Sequence, residues 1–291
     1  MLTGNQFMYN VILLFVVSLL IAAWPSLGKE NTAYNKGYVI DNVQPSHSLR
    51  VASLNLAHGR KDSFSQFFLK NSTIKQNLDD VVQVLNKHRP QVVAFQEADF
   101  LEHFNHVNYI ASQANYPWSA QASNMDFWTF TYGTALISAL PISKTIEHTF
   151  SPSPPTFYKG FVLAEIEWPI ASQGSIGKVD VISVHLDFSR RSVRESQIQE
   201  MVEIISPRTN PVIIMGDFNS EWLKESSAIK KLLLTTQFTT HQPESSDYNT
   251  YKNKRLDWIL ISQELGLLNY KILPDVLSDH KMIIADIYFK P

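Results

Sequence analysis

The 291-residue chain contains no cysteine, which removes disulfides, zinc–thiolate sites, a cysteine nucleophile and a lipid-modified cysteine together. It also lacks an excess of either charge: Lys plus Arg number 25 and Asp plus Glu 27, for a formal net charge of −2. No global field therefore draws it to nucleic acid, and any polyanion must be met by local clusters. Internal repeats and low-complexity tracts are absent as well. The first ten residues hold no Lys or Arg, so a positive N-terminal region rests on the terminal amine alone. What is present is an ordinary 44% of hydrophobic residues, enough for the core of one large domain.

The longest apolar run is Val11 to Trp24, broken only by Ser18 and followed by Pro25, Ser26, Leu27, Gly28 and Lys29. It is short for a membrane span but suits the core of a secretory signal, with Ser26 and Gly28 as the small residues for cleavage before Lys29. Residues 1–28 are thus expected to be an export signal, with an uncleaved membrane anchor and a buried helix as the alternatives. The protein is expected to be exported, periplasmic or secreted, or held at a membrane by this segment. Residues 29–48 read as a leader, and residues 49–291 as the folded domain.

Strand-like runs recur at Leu49–Leu54, Val92–Phe95, Ala135–Ile137, Phe161–Ile166, Val179–Leu186, Val212–Met215, Trp258–Ile261 and Met282–Tyr288. A helix is expected after Thr73, where Thr73 and Gln76 form a capping-box pattern and Ile74, Leu78, Val81, Val82 and Leu85 share one face. Pro90 stops it. A second helix is expected from Ser192, with Glu195 three residues on and Ile198, Met201, Ile204 and Ile205 turned inward. Ser151–Pro155 reads as a loop. Strands near both ends with helices between them suggest two sheets packed face to face and covered by helices.

Polar residues gather at the ends of these strands. Glu97 follows a buried strand, where a carboxylate needs a cation or a strong donor, and Mg²⁺ suits it. Asn55 ends the first strand and could offer its amide oxygen to the same ion. Asp217 and Asn219 lie two apart after Gly216, so both side chains can point the same way. Asp217 could take a proton from water while Asn219 holds that water or a phosphate oxygen. His280 could stabilise charge on a phosphoryl group, its tautomer fixed by Asp257. Each also has a plain structural reading: a solvent-facing strand end for Glu97, a turn for Asn55 or Asp217–Asn219, a satisfied core histidine for His185.

Their order decides between these readings. Asn55-Leu56, Gln96-Glu97, Tyr132 to Ser138, Ser183-Val184-His185-Leu186-Asp187, Gly216-Asp217-Phe218-Asn219, Arg255-Leu256-Asp257 and Ser278-Asp279-His280 together resemble the endonuclease/exonuclease/phosphatase superfamily. The resemblance runs from about Leu49 to Tyr288. It implies an α/β (α+β) fold, a deoxyribonuclease I-like four-layer sandwich of two mixed β-sheets packed face to face and flanked by helices. It also implies divalent-metal-dependent attack of water on a phosphate ester, with Mg²⁺ or alternatively Mn²⁺. Carried over by position, Glu97 becomes the principal metal ligand, with Asn55 beside it and Asp279 close to the ion. Asp217 activates or orients the water, Asn219 positions it, and His280, oriented by Asp257, contacts the scissile phosphate. His185 corresponds to the histidine of the deoxyribonuclease I-like and sphingomyelinase-like branches, which disfavours the abasic-site endonucleases.

The substrate is less defined. His185-Leu186-Asp187 followed by Arg190, Arg191, Arg194 and Gln197 looks like small secreted or membrane-associated members, some of which act on phospholipid head groups or glycosylphosphatidylinositol-related lipids. Arg190, Arg194 and Lys159 are the expected phosphate-binding cations. Lys252, Lys254 and Arg255 could add to them, and Phe127, Trp128, Phe130 and Tyr132 could wall the site. With only short basic clusters, a lipid or small phosphodiester ranks above nucleic acid. A secreted deoxyribonuclease I-like endonuclease and a catalytically silent binding module remain as alternatives, and a monomer is expected.

Overall fold

The computed structural model describes residues 29–31, 34–35, 47–101, 104–127, 130–170, 175–225 and 227–291. The expected export or anchor segment, residues 1–28, and Trp128 of the aromatic run lie outside the described residues. Among the described residues no helix is long and apolar enough to cross a membrane.

In chain order the elements begin with β1 (Lys29–Asn31), β2 (Tyr34–Asn35), β3 (Leu49–Asn55) and helix α1 (Asn71–His88). Next come β4 (Val92–Leu101), β5 (Phe104–Asn105), α2 (His106–Gln113), β6 (Trp118–Phe127) and β7 (Phe130–Ser138). β8 (Ile142–Thr149), β9 (Gly160–Ile170) and β10 (Ser175–His185) lead to α3 (Arg191–Ile205) and β11 (Val212–Asp217). The last are α4 (Ala228–Thr235), β12 (Thr239–Thr240), β13 (Asp257–Ile261), β14 (Leu265–Ile272) and β15 (Ile283–Phe289).

One sheet has the order β1-β8-β9-β10-β11-β13-β12 and the other β14-β15-β3-β4-β7-β6-β2. The parallel pairs β3–β4 and β10–β11 lie among antiparallel neighbours, so both sheets are mixed. Alternation along each strand sets the layers. Val51, Val92 and Ala94 from one sheet share a buried cluster with Val181, Ile213, Met215 and Ile259 from the other. Their neighbours Ala52, Val93 and Phe95 turn outward to pack with Leu78 and Val81 of α1 and Ile110 of α2. On the other side Ile182, Ile214 and Trp258 pack with Met201 of α3 and Leu232 of α4. The result is four layers, helices–sheet–sheet–helices. Burying a side chain such as Met215, 0% exposed, contributes about 2 kcal/mol.

The same alternation, continued to the strand ends, builds the site. Two-residue steps lead from Val51 through Ser53 to Asn55, from Ala94 to Gln96, and from Val181 through Ser183 to His185. They lead likewise from Ile213 through Met215 to Asp217, and back from Ile259 to Asp257. All these polar groups therefore stand on the inner faces, at one end of the sandwich.

Both helix starts differ from the sequence expectation. α1 begins at Asn71, two residues before Thr73, and its cap residue Lys70 makes no side-chain cap bond. Thr73 sits in the first turn with its N–H bonded to Lys70 O at 2.9 Å, so no capping box forms. α3 begins at Arg191 rather than at Ser192, and Glu195 pairs with Arg191 and Lys231 instead of capping. The inward-facing apolar positions are as expected: Leu78, Val81, Val82 and Leu85, then Ile198, Met201 and Ile205, are buried. Residues 29–48, read as a leader, contribute β1 and β2 to the sheet edges.

Candidate active site

Strand register aligns five residues in one row across the first sheet: Thr149, Gly160, His185, Asp217 and Asp257. Gly216 lets β10 and β11 approach closely, since a Cβ there would meet Val184 O at 2.0 Å and its φ is +146°. His280 arrives from the loop before β15, and its Nδ1 lies 2.8 Å from Asp257 Oδ2. Its ring packs on Tyr251, with centroids 4.8 Å apart. From the facing sheet, Asn55 Nδ2 donates to Asp217 Oδ2 at 3.1 Å, while Asn219 N–H donates to Asp217 Oδ1 at 2.9 Å. Both oxygens of Asp217 are thus fixed. Gln96 Nε2 donates to Ser183 Oγ at 3.0 Å, tying the two sheets together just beneath the site.

Glu97 would point outward by simple alternation. A register shift between Phe95 and Ala98, with φ +48° at Glu97, turns it instead toward the row. Its Oε1 lies 3.7 Å from His185 Nε2 and 4.0 Å from Lys159 Nζ, and its Oε2 lies 3.6 Å from His58 Nε2. Burial pushes the Glu97 carboxyl up, but Lys159, His185, His58 and His280 outweigh it and hold the pKa at about 2. Glu97 is a carboxylate at every physiological pH.

The remaining titrations divide the labour. Burial and then Asp257 push Asp217 up to about 7, against the opposing pull of His280 and the Asn219 N–H. Burial pulls His280 down, yet Asp257, Asp217 and Asp279 outweigh it and raise it to about 10. His185 falls well below its ordinary value through burial and then Lys159, and is a neutral imidazole. Lys159, whose Nζ lies 3.2 Å from both ring nitrogens of His185, is lowered by burial against the pull of Glu97 and Asp217.

The expected cations part company here. Lys159 faces Glu97 and His185, and Arg194 lines the cavity while donating to Asp187 O at 3.0 Å. Arg190 does not line it: its guanidinium donates to Ser153 O, to Pro154 O at 2.7 Å and to Thr156 Oγ1 at 2.8 Å. Three acceptors on the proline loop consume a side chain that looked free in sequence. Asp279 lines the cavity and pairs with Arg60. Lys254 also lines it.

Sequence reasoning missed Arg60 and His58. His58 sits in a left-handed turn after β3 (φ +57°), its Nδ1 2.6 Å from Asp99 Oδ1 and its ring edge-on to Tyr132. The available signal was a histidine beside Gly59 directly after a strand end bearing Asn55. Arg60, Glu97, His185, Asp217, Asn219 and His280 open into a cavity of about 560 Å³.

A protein-family model described as the Endonuclease/Exonuclease/phosphatase family matches residues 52–280. The chain belongs to this family. Members are generally hydrolases acting on phosphate esters, and are typically dependent on a divalent metal. No curated protein matches the chain in sequence. Among solved structures, a family protein from Leptotrichia buccalis is 19% identical, with a TM-score of 0.66 over 83% of this chain and 100% of that one. The catalytic domain of human nocturnin with bound sulfate is 15% identical, with a TM-score of 0.63 over 90% of this chain and 98% of that one. A mannosyl-6-phosphatase from Bacteroides thetaiotaomicron is 14% identical, with a TM-score of 0.61 over 83% of this chain and 100% of that one. At these identities the likeness is one of fold, the deoxyribonuclease I-like sandwich.

The residues present fit the metal that the family implies. Two groups of donors are available. Glu97 is ionised and unprotonated, and Asn55 with its carboxamide ends the neighbouring strand, a hard-oxygen set suited to Mg²⁺. Asp217, Asp257 and His280 form the second, with ligand atoms all within 4.8 Å of one another and Asp257 Oδ1 buried without a hydrogen-bond partner. His280 is raised to about 10, so ligating an ion through it would require displacing a proton. Glu97, already ionised, would need no such displacement.

Proposed function

We propose that this protein is a Mg²⁺- or Mn²⁺-dependent phosphodiesterase acting, as a monomer, on a lipid head group or small phosphodiester. The observation that carries the reading is the row His185–Asp217–Asp257, completed by His280 and faced across the sandwich by Asn55 and Glu97. The apolar run Val11–Trp24 adds the proposal that the chain is exported, with the run removed before Lys29 or kept as an anchor.

Glu97 and Asn55, with Asp279 nearby, would hold the ion, which when bound neutralises charge on the phosphoryl oxygens. Asp217, oriented through both its oxygens and poised at about 7, accepts a proton from water as the water oxygen attacks phosphorus. The protonated His280, held by Asp257, donates Nε2–H to a phosphoryl oxygen as negative charge grows there. Arg194 adds positive charge at the cavity wall, and Lys159 adds it behind Glu97 and His185. The bond from phosphorus to the leaving alkoxide breaks, and that oxygen takes up a proton from solvent.

A cavity of about 560 Å³ lies within the range of small-ligand sites, and a net charge of −2 gives the chain no global pull on a polyanion. Both features favour a head group or small diester over duplex DNA. The test is a panel of phosphate esters assayed with Mg²⁺, Mn²⁺ and chelator, set against plasmid nicking. Metal-dependent release of phosphocholine, an inositol phosphate or a comparable head group supports the reading. Nicking with no small-ester turnover replaces it with an endonuclease, and inertness to every substrate with no metal binding replaces it with a silent module.

A further inference from the structure

Nine large apolar side chains stand exposed among the described residues, and they are unevenly placed. Six of them, Phe64, Phe68, Phe157, Phe188, Leu223 and Val276, lie on loops at the end of the sandwich where the cavity opens. Phe64, 96% exposed, and Phe68, 83% exposed, sit on the β3–α1 connection that also carries Arg60 into the cavity wall. Phe157 precedes Lys159 by two residues, and Phe188 itself lines the cavity. Leu223 adjoins Lys224, another lining residue, and Val276 belongs to the loop that delivers His280. Single exposed apolar residues need no explanation, but a ring of them around one opening does.

Two further observations say what meets this ring. Exposed Lys224 and Lys281 stand on two of these loops, and Lys252 and Lys254 on the β12–β13 connection at the same end; each lysine near an anionic lipid surface strengthens association about fivefold. The chain also enters the fold from this end. Lys29 pairs with Glu147, two residues from Thr149 in the catalytic row, and β1 then runs away from the cavity. The first described strand therefore begins on the side where the rings protrude. Isolated aromatic side chains on separate loops, interleaved with lysines, suit insertion one by one into a lipid interface.

We propose that this rim is a lipid-docking surface. Phe64, Phe68 and Phe188 enter the bilayer and seat the cavity mouth over a phospholipid head group. The inference rests on reading the cavity as a phosphoesterase centre. Single-stranded nucleic acid could also stack on aromatic side chains, but it needs a continuous basic track, and Asp62 and Glu225 interrupt these loops.

A cysteine-free chain makes the test direct. Full-length Phe64→Cys, Phe68→Cys and Ile176→Cys variants are each labelled with a polarity-sensitive dye. Ile176 is 65% exposed and lies at the start of β10, the end opposite His185. They are mixed with vesicles of equimolar phosphatidylcholine and phosphatidylglycerol. The dye at 64 and 68 should shift to the blue and be quenched by brominated lipid, while the dye at 176 stays unchanged. In the Phe64→Ser/Phe68→Ser double variant, the ratio of vesicle-borne to soluble diester turnover should fall about tenfold or more. Unmoved dyes at 64 and 68 would overturn the proposal. So would an equal shift at 176, which would mean the apolar run alone holds the protein, or a response to single-stranded oligonucleotide in place of vesicles. Absence of soluble-ester turnover in the parent would sink the phosphoesterase reading, while the dyes would still decide docking.

Discussion

His280 Nδ1 lies 2.8 Å from Asp257 Oδ2, and this bond turns His280 Nε2 toward Asp217, 3.9 Å away. Asp257 starts β13 on the catalytic row, whereas His280 comes from a loop belonging to the other sheet. The bond therefore links the two halves of the sandwich at the reacting end. His280→Ala should lower kcat about a hundredfold or more on a soluble diester. Asp257→Asn should cost a comparable factor with KM little changed. An Asp257→Asn enzyme as fast as the parent would remove Asp257 as the orienter.

The metal seat predicts a binding defect as well as a kinetic one. Calorimetric titration of Mg²⁺ or Mn²⁺ into Glu97→Gln should show affinity reduced beyond a hundredfold or lost. Unchanged affinity would move the ion to another donor group, with Asp217 and Asp257 the next to test.

His58 reaches Glu97 Oε2 at 3.6 Å from the side away from His185, and Asp99 holds the far edge of its ring. It acts as a positioning residue for that carboxylate. His58→Ala should weaken metal binding by about tenfold to a hundredfold, and Asp99→Asn should do part of the same. If both variants bind metal like the parent, the turn after β3 is structural only.

The pH profile follows from the two groups flanking the attack. Asp217 must be ionised, so kcat/KM should rise through about pH 7, and His280 must keep its proton, so it should fall near pH 10. Stability carries a related slope. His280 binds its proton more tightly folded than unfolded, so its stabilisation is full below about 6.5 and drains as the pH rises through about 10. Denaturant melts of His280→Gln across that window should lack this slope. A slope equal to that of the parent would assign it to another group.

Gly216 holds β10 and β11 together beneath Asp217. Gly216→Ala would place Cβ 2.0 Å from Val184 O and should cost roughly 3–5 kcal/mol in urea unfolding. A cost below about 1 kcal/mol would mean that the strands separate freely there.

The strands were legible because their alternation is strict: Val51, Val181, Ile213 and Ile259 mark the inner faces, and the polar groups two or four residues away along each strand inherit that direction. Asn55, His185, Asp217 and Asp257 could be grouped from sequence because their motif order resembles the family's, and the alternation shows why they share one face. Glu97 could be named, but its orientation depends on a bulge and a left-handed backbone that no local pattern announces. Thr73 looked like a cap because the residues around it fit the pattern, yet α1 begins at exposed Asn71, and the Thr73 and Ile74 N–H groups bond to Lys70 O instead. Arg190 illustrates the remaining gap. Its partners lie 34 to 37 residues away on the proline loop, a distance over which sequence gives no sign that an arginine is already occupied. His58 and Arg60 escaped for the same reason, since their partners Asp99 and Asp279 meet them only in the fold.

The most direct test of the central claim is hydrolysis of a soluble chromogenic phosphodiester by the full-length chain, with Mg²⁺, with chelator, and with Glu97→Gln and Asp217→Asn side by side. Chelator should abolish turnover by the parent and Mg²⁺ should restore it, with both variants slower by about a hundredfold or more. Turnover that survives chelator, or that Glu97→Gln and Asp217→Asn leave at the parent's level, would contradict that claim.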